Sequence, residues 1–235
     1  MDEVGSQLSI IMPVLDEAGL IVVALQALSP FRQRGAEVIV VDGGSRDGTA
    51  DLARPHADDI VTAPRGRATQ MNDGAVIARG DVLLFLHADT RLPPEADRRV
   101  LDGLAQSGRA WGRFDVAIAG DSPWLPIVAA AINLRSRLSG IASGDQAMFV
   151  RREAFSAAKS FPDIPLMEDI ALSRALKRVS PPLCLADKVT TSGRRWERHG
   201  VWRTIFLMWR LRLAYFLGAE PTALARRYGY APRKR

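Results

Sequence analysis

The first part of the chain is punctuated by short apolar runs that end in proline or charge. Leu8–Met12 stops at Pro13, Glu37–Asp42 reads Glu-Val-Ile-Val-Val-Asp, and Val82–His87 repeats that form. Runs of this length and β-branched content predict strands buried on both faces. Between them, Ile21–Leu28, Thr49–Ala57 and Ala68–Ala78 are rich in Ala or Leu and bounded by Gly, Pro or Asp, which predicts helices. The alternation is the βαβα order of an open, mostly parallel sheet. The second half is less regular. Strands are expected at Trp111–Ile118 and Ala147–Val150, and helices at Leu125–Leu138 and Glu168–Lys177, the last opened by acidic residues that suit its N-terminal dipole. Val201–Leu217 is apolar and aromatic but broken by Arg203, Arg210 and Arg212.

With 235 residues and 47% apolar content the chain can bury one sizeable core, and no repeat, low-complexity tract or linker divides it. One α/β domain is expected over residues 1–200. A basic, helical C-terminal extension over 201–235 would either pack on that domain or lie at a membrane surface. Cys184 is the only cysteine, which excludes an intrachain disulfide and a Cys-rich zinc site. Met1–Ser9 lacks a basic patch followed by an apolar run, so a cytoplasmic location is expected, with peripheral attachment to the inner face of the plasma membrane as the variant that the extension allows. Its apolar blocks, Thr204–Trp209 and Leu213–Leu217, fall short of the ~20 residues of a membrane span. Of the net charge of +6, Arg194–Arg235 carries eleven Lys or Arg against Glu197 and Glu220. That imbalance points to an anionic partner or to a solvated basic terminus.

Ligands of open α/β sheets sit outside the carboxyl ends of the strands, and those ends are polar here. They run into Pro13-Val14-Leu15-Asp16-Glu17, into Asp42-Gly43-Gly44-Ser45-Arg46-Asp47-Gly48-Thr49 and into His87-Ala88-Asp89-Thr90. Gly-x-Gly-x-x-Gly and Gly-x-x-x-x-Gly-Lys-Ser/Thr loops are both missing, which disfavours dinucleotide oxidoreductases and P-loop phosphotransferases. Asp42 would accept hydrogen bonds from a ribose or base, with Gly44 letting a ligand approach; the other reading is an Asp- and Gly-rich turn with a helix cap. Asp89 suits a hard dication, Mn²⁺ or Mg²⁺, held together with substrate phosphates. His87 would either join that shell or orient Asp89. Arg65 and Arg67 open the helix that carries Gln70, where guanidinium and backbone N–H donors suit a phosphate or a nucleobase edge, or simply form a solvated helix start. Glu168 and Asp169 offer either a general base or a helix cap, and Arg194-Arg195-Trp196 offers a guanidinium clamp.

In this order the segments resemble the family-2 glycosyltransferases of the GT-A fold. Pro13 to Glu17 is similar to the family's Pro-x-x-Asn-Glu start, Val41 to Thr49 to its Asp-Gly-Ser element, Arg67 to Gly74 to the stretch ending Asn-x-Gly, and Gly80 to Asp89 to the segment entering the metal-binding Asp-x-Asp. Gly144-Asp145-Gln146 and Glu168-Asp169 fall where the family has its acceptor-side loop and catalytic base. The resemblance covers about Leu8 to Trp196. Two positions depart from it: His87 replaces the first Asp of Asp-x-Asp, and Ser192 replaces the Gln of the Gln-x-x-Arg-Trp signature of processive members. The motif set is also similar to a small bacterial subgroup linked to arsenosugar biosynthesis.

The resemblance implies a single GT-A, Rossmann-like domain and an inverting, single-displacement transfer from a nucleoside diphosphate sugar, UDP-sugars being favoured, to a hydroxyl acceptor that is soluble or lipid-linked. It places Pro13, Glu17, Asp42, Gly44, Arg65, Arg67, Gln70, Ala88, Asp89 and Arg195 on the donor. Asp89 and His87 go to the metal, Gly144, Asp145 and Trp196 to the acceptor side, Asp169 to the base and Glu168 to its support. An anionic membrane surface is a further partner; nucleic acid is not expected. Two rivals remain: a nucleotidyltransferase, which would need a Gly-rich basic loop where Pro13–Glu17 stands, and a non-catalytic adaptor that uses the basic tail on a membrane or nucleic acid.

Overall fold

The computed structural model describes residues 7–230. Arg233, Lys234 and Arg235 of the basic tail and the first six residues of Met1–Ser9 lie outside them. Strand β1 (Leu8–Val14) leads to helices α1 (Ile21–Gln26) and α2 (Ser29–Gln33), then to β2 (Glu37–Asp42), α3 (Thr49–Ala53), β3 (Asp59–Thr62), α4 (Arg67–Ile77) and β4 (Val82–Phe85). Every residue of β1, β2 and β4 is buried, as apolar strands covered on both faces must be. The chain continues through β5 (Thr90–Arg91), α5 (Ala96–Ser107), β6 (Trp111–Ala119), α6 (Leu125–Ser139), β7 (Phe149–Arg151), α7 (Arg152–Ala157), α8 (Glu168–Leu176), β8 (Leu183–Ser192), α9 (Arg194–His199), α10 (Val201–Phe216) and α11 (Pro221–Tyr228).

These strands form one eight-stranded sheet in the order β3-β2-β1-β4-β7-β6-β8-β5. The pairs β1/β2, β1/β4, β2/β3 and β6/β8 are parallel. Strand β7 is inserted antiparallel between β4 and β6, and β5 closes the far edge antiparallel to β8. Side chains alternate across the sheet into two cores. Ile10, Met12, Val38, Val40 and Leu84 enter one, and Ile11, Ile39, Val41, Leu83 and Phe85 the other. Helix α4 lies directly on the second face: a Cβ on Gly74 would stand 2.5 Å from Ile11 Cγ2. That close approach carries the N-terminus of α4, with Arg67, to the edge where the parallel strands end.

A third apolar cluster joins Ile141, Leu166, Met167 and Ile170 to Leu211, Leu224 and Ala225. Through it α10 and α11 pack on the start of α8. Among the described residues no helix is long and apolar enough to cross a membrane.

The turns after β1 and β2 are stitched together by side chain to backbone bonds. Asp16 N–H donates to Ser45 Oγ (2.9 Å), and the Asp16 carboxylate accepts Arg46 N–H (2.9 Å). Glu17 N–H donates to Thr49 Oγ1 (2.8 Å), and Ala18 N–H to the Asp47 carboxylate (2.9 Å). Asp16 holds φ +54°, a left-handed conformation that Asp tolerates better than most residues. The Thr49 hydroxyl, and after it Ala18 N–H, holds the Asp47 carboxyl below its ordinary value of 3.8. A carboxyl lowered on folding contributes stability that is fully present above the unfolded value and is lost as pH falls through the folded one. Below about pH 4, wild type should therefore lose Tm more steeply than Asp47→Asn. Melts taken in steps from pH 6 downward check this; parallel curves would show that Asp47 does not hold the two turns in its charged form.

Candidate active site

From β1 the chain crosses to β2 and β3 on one side and to β4 on the other. Such a reversal opens a crevice outside the carboxyl ends of the strands. Glu17 follows β1, Asp42 ends β2, and His87 and Asp89 follow β4. The acidic segments thus meet on one edge because the pairing is parallel. The antiparallel β7, reached through the short 3-10 turn Gly144–Gln146, adds Asp145 from the other half. Helix α8 begins beside that turn, and Met167 at its N-cap is held at φ +71°. Strain of this kind in a non-glycine residue costs about 1–3 kcal/mol and concentrates at functional sites.

At the centre, Asp169 accepts the Gly144 N–H at 2.8 Å. Glu168 is buried and ion-paired to Arg67 Nε at 3.1 Å, while its Oε2 has no hydrogen-bond partner among the described residues. His87 fills the space over Gly144, where a Cβ would come within 2.6 Å of Nε2. A small cavity is lined by Pro13, Met71, His87, Gly144, Glu168 and Asp169. Burial, and then Arg67, lowers the His87 pKa, against the pull of Asp145, Asp89 and Asp169. The ring is therefore neutral at pH 7. Burial raises Glu168 against the pull of Arg67, and Glu168 in turn raises Arg67. Glu17 is raised by burial, which Arg194 opposes and Asp89 reinforces.

The remaining expected residues divide into those that face the crevice and those that hold it together. Gly44, at φ +88°, is exposed at the tip of its turn. Asp42 spends its carboxylate on that turn, accepting the N–H groups of Gly44 and Ser45 and the Ser45 hydroxyl. Ala88 packs against the core. Gln70, expected as a donor contact, lies under the same edge beside Gly43. It is buried, and its amide donates to the Val14 and Val41 carbonyls at 2.8 Å each, bracing the ends of β1 and β2. Arg195 departs in a similar way: it stacks on the Tyr228 ring at 3.7 Å and donates to the Tyr228 carbonyl. Its neighbour Arg194 is the one whose charge acts on Glu17. Arg65 lies over Tyr230, 5.5 Å from the ring centre. Trp196 lines an adjoining apolar groove together with Asp145. Sequence reasoning missed the place of Tyr228 and Tyr230, since nothing local announces that α11 folds back over two arginines.

Among the described residues no three His, Cys, Asp or Glu side chains are grouped to hold a metal alone. Half-buried Asp89, flanked by neutral His87, suits a different arrangement, in which a hard dication takes one carboxylate from protein and the rest of its shell from phosphate oxygens and water.

Known proteins share the family and the fold. The family profile described as Glycosyl transferase family 2 matches residues 9–157. Among curated relatives, an undecaprenyl-phosphate 4-deoxy-4-formamido-L-arabinose transferase of Pseudomonas aeruginosa is 28% identical over 155 residues, covering 61% of this chain and 45% of that protein. A PGL/p-HBAD biosynthesis glycosyltransferase of Mycobacterium tuberculosis is 34% identical over 91 residues, 36% of each chain. The chain thus spans less than half the length of these relatives. Among solved structures, S. aureus TarS in complex with UDP-GlcNAc superposes with a TM-score of 0.64 at 17% identity, over 79% of this chain and 58% of that one. Glucosyl-3-phosphoglycerate synthase from Mycobacterium tuberculosis, in complex with Mn²⁺, UDP and its product, gives 0.60 at 20% identity, over 80% and 71%. At such identities the likeness is one of fold, which both share with this α/β domain and its mostly parallel sheet. The profile match over well more than half of the sequence goes further: this chain belongs to glycosyl transferase family 2.

Proposed function

We propose that the protein transfers a sugar from a nucleoside diphosphate sugar to a hydroxyl acceptor in one inverting displacement. The observation that carries this is Asp169, a half-buried carboxylate held on the Gly144 N–H beside the crevice of the parallel strands. UDP-sugars are the favoured donors, in keeping with the nucleotides bound by TarS and by the synthase. Glu17 and Gly44 would hold the nucleoside on the turn that Asp42 shapes, and Arg65 and Arg194 the diphosphate. Asp89 would hold Mn²⁺ or Mg²⁺ jointly with the phosphates, the metal neutralising the diphosphate as it leaves. The acceptor oxygen attacks the anomeric carbon from the side of Gly144 and Asp145 and passes its proton to Asp169. The bond from that carbon to the diphosphate breaks, and the diphosphate departs with the electron pair. Glu168, tied to Arg67, fixes the start of α8 and so aims Asp169. The comparisons reach the family and not the arsenosugar subgroup, and that link forms no part of the proposal.

Removing the base should slow the chemical step and spare donor binding. Asp169→Asn is expected to cut the rate of UDP release from a UDP-sugar by about 10² or more, with the Kd for UDP unchanged by calorimetry. If weaker UDP binding were its only defect, Asp169 would belong to the donor site.

Peripheral membrane association is the second part of the proposal. On α10 the side chains of Trp202, Phe206, Trp209, Leu213 and Phe216 are exposed at the three- and four-residue spacing of one helix face, with Arg203 and Arg210 exposed nearby. An apolar stripe edged by cations suits an anionic bilayer surface, and the relative named for undecaprenyl phosphate is consistent with a lipid-linked acceptor. Flotation with phosphatidylglycerol vesicles should show binding that weakens with salt. Absence of binding at low salt would remove the membrane from the account.

A further inference from the structure

Between α6 and α10 runs a groove of about 550 Å³. Trp124 and Ile127 form one wall, and Trp202, Phe206 and Trp209 the other. The rings of Trp124 and Trp202 meet edge-on, with centroids 5.1 Å apart. Phe206 and Trp209 remain 62% and 69% exposed, so the protein does not fill the groove with its own side chains. It also reaches the reaction site, because Ser143 and Asp145, on either side of Gly144, line it as well.

Two cations stand in this apolar setting. Arg135 of α6 and Arg212 of α10 both line the groove. Nε and Nη2 of Arg135 and Nε of Arg212 are shut off from solvent and have no hydrogen-bond partner among the described residues. Burial, and next the charge of Arg212, pushes Arg135 down to about 10, with Asp169 pulling the other way. Desolvated guanidinium groups without acceptors are costly unless an anion completes them. Two of them match a dianion better than a single carboxylate, and the planar donor fork of arginine suits phosphate oxygens.

We propose that this groove is the acceptor subsite and takes a phosphate-bearing lipid, with its hydrocarbon chain between α6 and α10 and its phosphate on Arg135 and Arg212. The inference rests on the glycosyl transfer proposed above. Ser143 and Asp145 line the groove with both arginines, and Gly144 between them holds Asp169, so a hydroxyl borne near the phosphate would face the base. The hydroxyl oxygen bonds to the anomeric carbon, its proton passes to Asp169, and the diphosphate leaves with the electrons of the broken bond. The phosphate on the arginines is unchanged.

The probe is dodecyl phosphate, kept below its micelle concentration and free of vesicles, with full-length protein and tryptophan fluorescence as the readout. Saturable binding is expected, at least about tenfold tighter than for dodecanol, since one charge-assisted pair suffices for that ratio. Inorganic phosphate alone should leave the fluorescence unchanged. Affinity should rise about fourfold per added methylene from octyl to decyl phosphate, a series that requires no variant. Arg135→Gln and Arg212→Gln should each weaken dodecyl phosphate about tenfold or more and leave UDP binding intact, which also shows that the variants fold. The proposal is overturned if dodecyl phosphate binds no better than dodecanol, if the glutamine variants bind it like wild type, or if only vesicles bind. Failure of the groove would leave UDP binding untouched, whereas failure of the glycosyltransferase reading would appear as lost UDP binding with the groove intact.

Discussion

Glu168 is buried at the start of α8, and its one ion-pair partner among the described residues is Arg67, the first residue of α4. A carboxylate in that position keeps its charge only while the guanidinium stays beside it. The pair therefore locks together two helices that belong to different halves of the molecule. Helix α4 is fixed to β1 and β2 by the close approach of Gly74, and α8 is fixed to the C-terminal helices through Met167 and Ile170. With those two helix starts in register, Asp169 meets the Gly144 backbone, and Gly144 leaves room for His87. The crevice of the parallel strands and the Gly144 turn share one wall for this reason.

The N-terminal half was legible because its chemistry is repetitive. Strands β1, β2 and β4 are buried on both faces, so their sequences are unbroken apolar runs that only the polar turns at their carboxyl ends interrupt. The rest hid behind half-buried surfaces. Strand β8 carries Lys188 and Thr190 outward and buries few side chains, and its one apolar run, Leu183–Ala186, is only half-buried to exposed. Helix α5 buries Ala96, Val100 and Leu104 at four-residue spacing, a narrow stripe among charged residues. The turn after β2 shows how one residue carries two readings: Asp42 is consumed by its own loop, as a turn-forming Asp would be, and still stands at the crevice edge. Gln70 and Arg195 show the limit of motif reasoning. Residue type and position suggested ligand contact, but the partners that claim them, the Val14 and Val41 carbonyls and Tyr228, come from distant parts of the chain.

The C-terminal extension was visible as apolar blocks split by arginines, and only the packing decides which of its residues do what. Thr204 and Leu211 turn inward, while Trp202, Phe206 and Trp209 stay outside. Arg212 is drawn into the groove beside Arg135, whereas Arg203 and Arg210 stay in water. Helix α11 then returns to the crevice, laying Tyr228 on Arg195 and Tyr230 under Arg65. The segment that looks most like an appendage in the sequence thus supplies one wall of the groove between α6 and α10 and packs on two arginines near the strand ends.

The central claim is that the edge where β1, β2 and β4 end binds a nucleoside diphosphate, with Asp89 linking a dication to the phosphates. Calorimetric titration of UDP with and without Mn²⁺, on wild type and on Asp89→Ala, tests it most directly. The account expects wild type to bind UDP at least about tenfold more tightly with Mn²⁺, and Asp89→Ala to bind it weakly and equally in both conditions. No UDP binding by wild type in either condition, or an undiminished Mn²⁺ effect in Asp89→Ala, would contradict it.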